Sequence, residues 1–256
     1  MYKFTLTKQK VDERDFKSSL KVAITKSLVE LKMPTIYDQK NLGSCVSNAI
    51  ALCVNYWLKI SPSRLYIYCN GRAVGKHDMY QDTGLNVRDG CKSIAKFFIT
   101  DEKNWIYNTK QFDIIPPLTA YNKTINLSDM SYTSVTQDLN SIKQYLINSC
   151  PIIFGIAVYS SFVSNNSNTT GIIPMPDISQ ETLLGYHCVV IVGFDDTKQQ
   201  FKVANSWGTS WGQKGYFYLP YAYVTNINLA FDFWCIKFNR FNSSKINKIS
   251  LLLLRH

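Results

Sequence analysis

Cys45 is the first residue of this chain whose type and setting could do nucleophilic chemistry. It closes the stretch Asp38-Gln39-Lys40-Asn41-Leu42-Gly43-Ser44-Cys45 and opens an apolar run, Val46 to Leu58, that lacks Gly and Pro. That pattern reads as a core helix. A thiol at a helix N-terminus lies beside unpaired backbone N–H groups and the positive end of the dipole, which favours the thiolate. A structural thiol is the competing reading, because free cysteine is among the most buried residue types.

A cysteine nucleophile needs a base, a group that orients the base, and donors for the oxyanion. The chain has 3 histidines. His256 is the last residue and His77 lies in a polar loop, whereas His187 opens Cys188-Val189-Val190-Ile191-Val192-Gly193-Phe194, a buried strand by pattern. After a turn at Asp195-Asp196, a second strand, Phe201 to Ala204, leads into Asn205-Ser206-Trp207-Gly208 and then Trp211-Gly212. A hairpin brings Asn205 toward His187. Its amide carbonyl would accept from one imidazole nitrogen and leave the other facing the thiol.

These residues resemble the papain-like cysteine peptidases. The resemblance rests on Gln39 ahead of Gly43-Ser44-Cys45, His187 at the start of a Val-rich strand, and the Asn205-Ser206-Trp207-Gly208 block, in the family's own order. It implies that Cys45 is the nucleophile, His187 the acid/base, Asn205 its orienter and Gln39 the side-chain donor of the oxyanion hole, joined by the Cys45 N–H. Trp207 would shield the Asn205 to His187 hydrogen bond from water. Gly84 aligns with the glycine that pairs with an extended substrate backbone, where a close approach excludes a side chain. Leu85, Asn86, Ala157 and Cys188 would line a largely apolar substrate pocket. The closer likeness is to a divergent branch, through Leu42-Gly43-Ser44-Cys45 in place of Cys-Gly-Ser-Cys, Ser63 to Tyr68, Asp82-Thr83-Gly84 and Arg88-Asp89-Gly90. Val46 and Tyr186 depart from the family's usual residues and bear on subsite shape. With His77 alone available, the paired-histidine loop of carboxydipeptidases has no counterpart, so endopeptidase action is expected.

The elements that must position these residues follow from pattern. A helix starts at Ser61-Pro62 and runs to about Arg72, and a third runs from Asp89-Gly90 through Phe98. A short helix spans Ser141 to Ser149. Strands are expected over Ile152 to Tyr159, Tyr186 to Phe194, Gln200 to Ser206, Gly215 to Leu219 and Phe233 to Phe238. The fold class is therefore α+β: a helical lobe over residues 34–125 and an antiparallel, barrel-like β lobe over 126–240, with the site in the cleft between them. Residues 1–33 precede the family match. Phe16, Leu20, Ile24, Leu28 and Leu31 recur at helical spacing, which predicts an amphipathic helix acting as a short propeptide-like element or a brace.

With 256 residues, 46% of them hydrophobic, the chain can bury a sizeable core. The 7 cysteines form no CxxC pair and no zinc spacing, so free thiols, no metal, no cofactor and a cytoplasmic or other reducing compartment are expected. Met1 to Lys10 holds no apolar run suited to a secretory signal, and no segment reads as a membrane span. The net charge of +10 includes a basic tail, residues 241–256, that could meet nucleic acid or an anionic surface, although a solvated tail is the simpler reading. Protein or peptide substrates are the expected partners. A peptide-binding module with a weak site, or a variant passing the acyl group to an amine, would carry the same residues.

Overall fold

The structure is a computed structural model that describes residues 3–10, 12, 13, 15 and 23–238. In chain order the elements are β1 (Leu28–Glu30), α1 (Cys45–Leu58), α2 (Arg64–Val74), α3 (Val87–Phe97), α4 (Leu118–Tyr121), β2 (Met130–Ser134), α5 (Leu139–Ile147), β3 (Ile152–Tyr159), α6 (Asn165–Thr170), β4 (Leu183–Asp195), β5 (Gln200–Ala204), β6 (Tyr216–Pro220), α7 (Tyr221–Thr225) and β7 (Ala230–Phe238).

Helix α1 is central because it has no solvent face over most of its length. Every residue from Cys45 to Val54 is buried, and Lys59 in the left-handed region (φ 57°) stops it. Ser44 does not cap it through its side chain. Its hydroxyl instead meets Tyr107 Oη at 2.5 Å, while Ser47 Oγ and Asn48 Nδ2 both donate to the Ser44 carbonyl at 2.9 Å. These bonds fix the turn that presents Cys45. Helix α2 starts two residues later than the proline signal suggests, because Ser63 is the residue whose hydroxyl accepts from the Tyr66 amide. Helix α3 is capped by Asn86, whose side chain accepts from the Asp89 amide and donates to its carboxylate.

The β lobe is one seven-stranded antiparallel sheet in the order β2-β7-β3-β4-β5-β6, with β1 paired to β4 off that path. The antiparallel lobe is as expected, and since β2 and β6 do not pair with each other the sheet is not a closed barrel. Strands β3 and β4 are apolar on both faces, with α1 on one of them, so His187 sits where the sheet meets that helix. The lobes are also tied by Trp57 Nε1, which donates to the Ile236 carbonyl at 3.0 Å.

The expected helix in residues 12–31 is not borne out where the chain is described. Leu28–Glu30 is a strand, with Val29 opposite Phe194, and Leu28 is 61% exposed, so its apolar spacing reflects no buried face. Phe16 and Leu20 lie outside the described residues, as does the basic tail, residues 241–256.

Candidate active site

Cys45 occupies the first turn of α1, and the backbone amides of Val46 and Cys45 itself point at its sulfur. Strand β4 packs against α1, and the Cys188 amide is a third backbone group that favours the ionised thiol. His187, one residue earlier, is completely buried and stacks on Trp207 with ring centroids 5.0 Å apart and planes inclined by 24°.

The hydrogen bonds assign the imidazole tautomer. Asn205 Oδ1 takes the Ser206 N–H at 2.8 Å, and a backbone amide can only donate, so that side-chain atom is the carbonyl oxygen. The same oxygen lies 2.8 Å from His187 Nε2, which must therefore carry the proton. Nδ1 is left with its lone pair, buried and, among the described residues, without a hydrogen-bond partner. Such an imidazole can take a proton from a neighbouring thiol.

Gln39 is wholly buried beside this pair. Its Nε2 donates to the Leu42 carbonyl at 3.0 Å, and its Oε1 accepts from Ser206 Oγ at 2.5 Å. Tyr107 Oη donates to the Gln39 carbonyl at 2.9 Å while also meeting Ser44. Beneath that loop, Arg64 forms a two-pronged pair with Glu102 (2.9 and 2.5 Å) and donates to the Asp38 carbonyl and Asn48 Oδ1, both at 3.2 Å. Its guanidinium lies over the Tyr107 ring. Replacing Arg64 with Met leaves Glu102 and the Asp38 carbonyl unpartnered. A loss of about 3 kcal/mol is expected, a melting point lower by roughly 6–12 °C, with reduced turnover because Gln39 follows directly on Asp38. A melt unchanged within about 2 °C, read by calorimetry, would contradict this role.

The cleft is occupied by the chain's own N-terminal stretch. Thr5 pairs in parallel with Tyr186, the Leu6 amide donates to the Tyr186 carbonyl at 3.2 Å, and the Thr7 amide donates to the Leu85 carbonyl at 3.3 Å. Side chains alternate as in a strand. Phe4 packs edge-on against His187 and Trp207 at 6.1 and 5.9 Å, and Leu6 is buried against Gly155 on β3, where Phe231 also closes in. On the other side, Lys3 pairs with Asp82 and Thr5 Oγ1 donates to the Gly43 carbonyl at 3.3 Å. Gly84 has φ +73°, and a Cβ there would lie 1.9 Å from the Thr5 carbonyl oxygen. The close backbone approach expected at Gly84 is thus made by residue 5 of the same chain.

Burial under this cover changes the electrostatics foreseen from the helix N-terminus. Burial pushes the Cys45 thiol up to about 11, against the three amides that lower it, and pulls His187 down to about 4, against the Asn205 bond that raises it. The covered pair is therefore a neutral thiol beside a neutral imidazole. Desolvation outweighs the helix terminus here.

Of the other sequence-derived positions, Leu85 accepts from the segment through its backbone. Ala157 and Cys188 lie on paired strands, opposite Tyr186 and Gly155 respectively, beside the site that receives Leu6. Asn86 departs from the expectation, because its side chain is engaged in capping α3. All 7 cysteines are free thiols, and among the described residues no cluster of His, Cys, Asp or Glu suits a metal ion. No helix among the described residues is long and apolar enough to cross a membrane.

The model of the papain family cysteine proteases matches residues 26–230. The chain belongs to the papain family. Xylellain, a cysteine protease from Xylella fastidiosa, superimposes with a TM-score of 0.86 at 34% identity, over 93% of this chain and 96% of that one. An uncharacterized peptidase C1-like protein of Acanthamoeba polyphaga mimivirus is 38% identical over 231 residues, 82% of this chain and 74% of the relative. A cathepsin L-like peptidase of Aedes aegypti is 31% identical over 192 residues, 71% of this chain and 53% of that protein. The peptidase is thus a hydrolase of the papain class with protein or peptide substrates.

Sequence reasoning missed Arg64, Tyr107 and Ser206 as supports of this peptidase's Gln39 loop, and it missed the place taken by residues 3–9. Asp82 entered only as part of a motif, yet its carboxylate holds the Gly43 amide (3.1 and 3.0 Å) and the Tyr68 hydroxyl (2.5 Å). The signal for the segment was its apolar–polar alternation, too short to separate from chance.

Two titratable groups under the segment respond to acid in opposite directions. His187 stays neutral in the covered state down to about 4, whereas an exposed imidazole takes a proton near 6.5, so through His187 the cover is intact above about 6.5 and weakens as pH falls toward 4. Asp232 accepts the Gln9 amide at 2.9 Å and faces Lys8, Arg88 and Asp15; burial raises it to about 6 from an ordinary 3.8. Through Asp232 the cover strengthens as pH falls from about 6 to 3.8. Asp232→Asn removes the opposing effect. Between about pH 6.5 and 4.5, the Leu6 and Thr7 amides should lose more hydrogen-exchange protection in that variant than in the parent, after correction for intrinsic rates. Equal losses would show that Asp232 does not report on the cover.

Proposed function

We propose that the chain is a cysteine endopeptidase whose nucleophile is Cys45, with His187 as acid/base, Asn205 as orienter and Gln39 with the Cys45 amide as oxyanion donors, held closed by its own residues 3–9. The observation that carries this reading is the assigned tautomer. Asn205 accepts the Nε2 proton, and the nitrogen left without a partner is the one a thiol proton can occupy.

Once a substrate replaces the segment, the Cys45 proton moves to Nδ1 and the sulfur bonds to the peptide carbonyl carbon. The carbonyl oxygen becomes an oxyanion met by the Cys45 N–H and by Gln39 Nε2, whose amide carries a second N–H besides the one given to Leu42. Collapse breaks the C–N bond, and the departing amine takes the proton back from Nδ1. Water then adds to the thioester, giving its proton to the imidazole, and the acid leaves as the thiol is restored. A positioned acid/base contributes typically ~100- to 10,000-fold and an oxyanion donor ~100- to 1,000-fold. The one chemical requirement is a reduced thiol.

The segment's direction explains why it survives in place. The leaving amine must stand at His187, so a substrate's C-terminal part lies toward Trp207 and its N-terminal part toward Gly84 and Leu85. Residues 3–9 run the other way, with Phe4 at His187 and Trp207 and Thr7 at Leu85. They fill the cleft in reverse polarity. Mass analysis of products from a long peptide blocked at both ends tests the activity: internal cuts support it, trimming from an end removes the endopeptidase reading, and amide-linked products point to acyl transfer instead.

A further inference from the structure

The geometry points to Asp82 as a specificity-determining carboxylate that receives a lysine or arginine side chain of the substrate, at the residue whose carbonyl is attacked. This rests on the peptidase reading above and extends it. The Asp82 side chain is 9% exposed even though it borders the cleft, and its partners there are the Lys3 ammonium at 2.6 Å, the Gly43 amide and the Tyr68 hydroxyl. Three different donors converge on one carboxylate, and only Lys3 belongs to a segment that must leave before a substrate can enter. Its departure leaves a negative charge on the cleft wall with an open coordination direction and two bonds that still hold it in place.

The position of that charge identifies the substrate residue it meets. Asp82 grips Gly43, two residues before Cys45, and its field is felt at the Cys45 thiol. Side chains of an extended occupant alternate across the cleft: Phe4 and Leu6 turn to the β lobe, Lys3 and Thr5 to the helical lobe. Lys3 reaches Asp82 from beyond Phe4, on the leaving side, whereas the Gly43 bond ties the carboxylate to the stretch that ends in Cys45, on the helical-lobe wall that the acyl residue passes. Arg72 fixes the loop that carries it, donating to the Met79 and Gln81 carbonyls at 3.0 and 2.9 Å. A carboxylate on a braced loop discriminates charge better than a mobile one, because little is lost in ordering it.

The test compares two fluorogenic peptides that differ only by Lys or Gln at the acyl residue, using the full chain. Both substrates compete with the same segment, so the ratio of their kcat/KM values is independent of how often the cleft is open. The Lys peptide should be favoured by about three- to fivefold, the yield of one partly exposed ion pair. Asp82→Asn, which keeps acceptor and size but not charge, should bring the ratio to near unity. A ratio near unity in the parent, or one unchanged by Asp82→Asn, overturns the inference. Equal losses on both peptides would give Asp82 only its structural role and overturn it as well. If neither peptide is cut even in a Leu6→Asp chain, the peptidase reading has failed instead. The Lys-to-Gln ratio of dissociation constants in a Cys45→Ala, Leu6→Asp chain then decides the Asp82 claim without catalysis.

Discussion

Cys45→Ala in a chain whose cleft has been opened should lower peptide hydrolysis by at least ~10,000-fold, to the level of background. The size follows from the site's construction. Every step of the proposed reaction passes through the sulfur, and His187 alone, neutral and aligned by Asn205, has no second nucleophile to activate: Cys188, the nearest other cysteine in sequence, is buried with its thiol pushed well up. Asn205→Ala should be milder, about 100-fold, because a neutral amide orients the ring without adding charge. His187→Ala should approach the Cys45→Ala result. Progress curves on one fluorogenic peptide, with active-site concentration fixed by protein mass, measure all three. A Cys45→Ala chain that keeps more than about one-hundredth of the activity would place the nucleophile elsewhere.

Leu6→Asp should raise the activity of the full chain by about 30- to 1,000-fold. Burial of a leucine side chain contributes roughly 1.5–3 kcal/mol, and a carboxylate in its place adds a desolvation penalty, so the docked state loses on the order of 2–4 kcal/mol. Leu6 is 3% exposed and is the most buried residue of the segment, whereas Lys3 and Thr7 are exposed. Lys3→Ala should therefore matter far less, within about fivefold, as expected for an exposed ion pair. The melting temperature serves as the control: Leu6→Asp should lower it only slightly if the segment is a plug, and markedly if it is a brace for the lobes. Activity that is unchanged or lower in Leu6→Asp would mean that the segment does not compete with substrate.

The candidate site was legible because its residues announce themselves locally. An apolar helix behind Gly43-Ser44-Cys45, a single well-placed histidine at the head of a buried strand, and Asn205 one hairpin away are all short-range patterns, and the hairpin's register brings the last two within 2.8 Å. Strand β3 was legible to both its ends for the same reason, since an unbroken apolar run bounded by Pro151 and a polar loop leaves few choices. What was not legible depends on distant partners. Leu28 and Leu31 fit a helical period, but β4 offered an unpaired edge and the backbone of Leu28–Glu30 took it. The state of the thiol was misjudged because the helix N-terminus is visible in sequence while the covering strand, 36 or more residues earlier, is not. Closure of the sheet likewise turns on whether β2 and β6 meet, which no single strand encodes.

The most direct test of the covered Cys45 site is labelling of the reduced chain with an epoxide that alkylates active cysteine peptidases, followed by intact mass and peptide mapping. One adduct on Cys45 is predicted, forming slowly in the parent, at least about tenfold faster in Leu6→Asp as expected from the docking energy, and absent in His187→Ala. Adducts on other cysteines, labelling that survives loss of His187, or equal rates in the parent and Leu6→Asp would contradict the account.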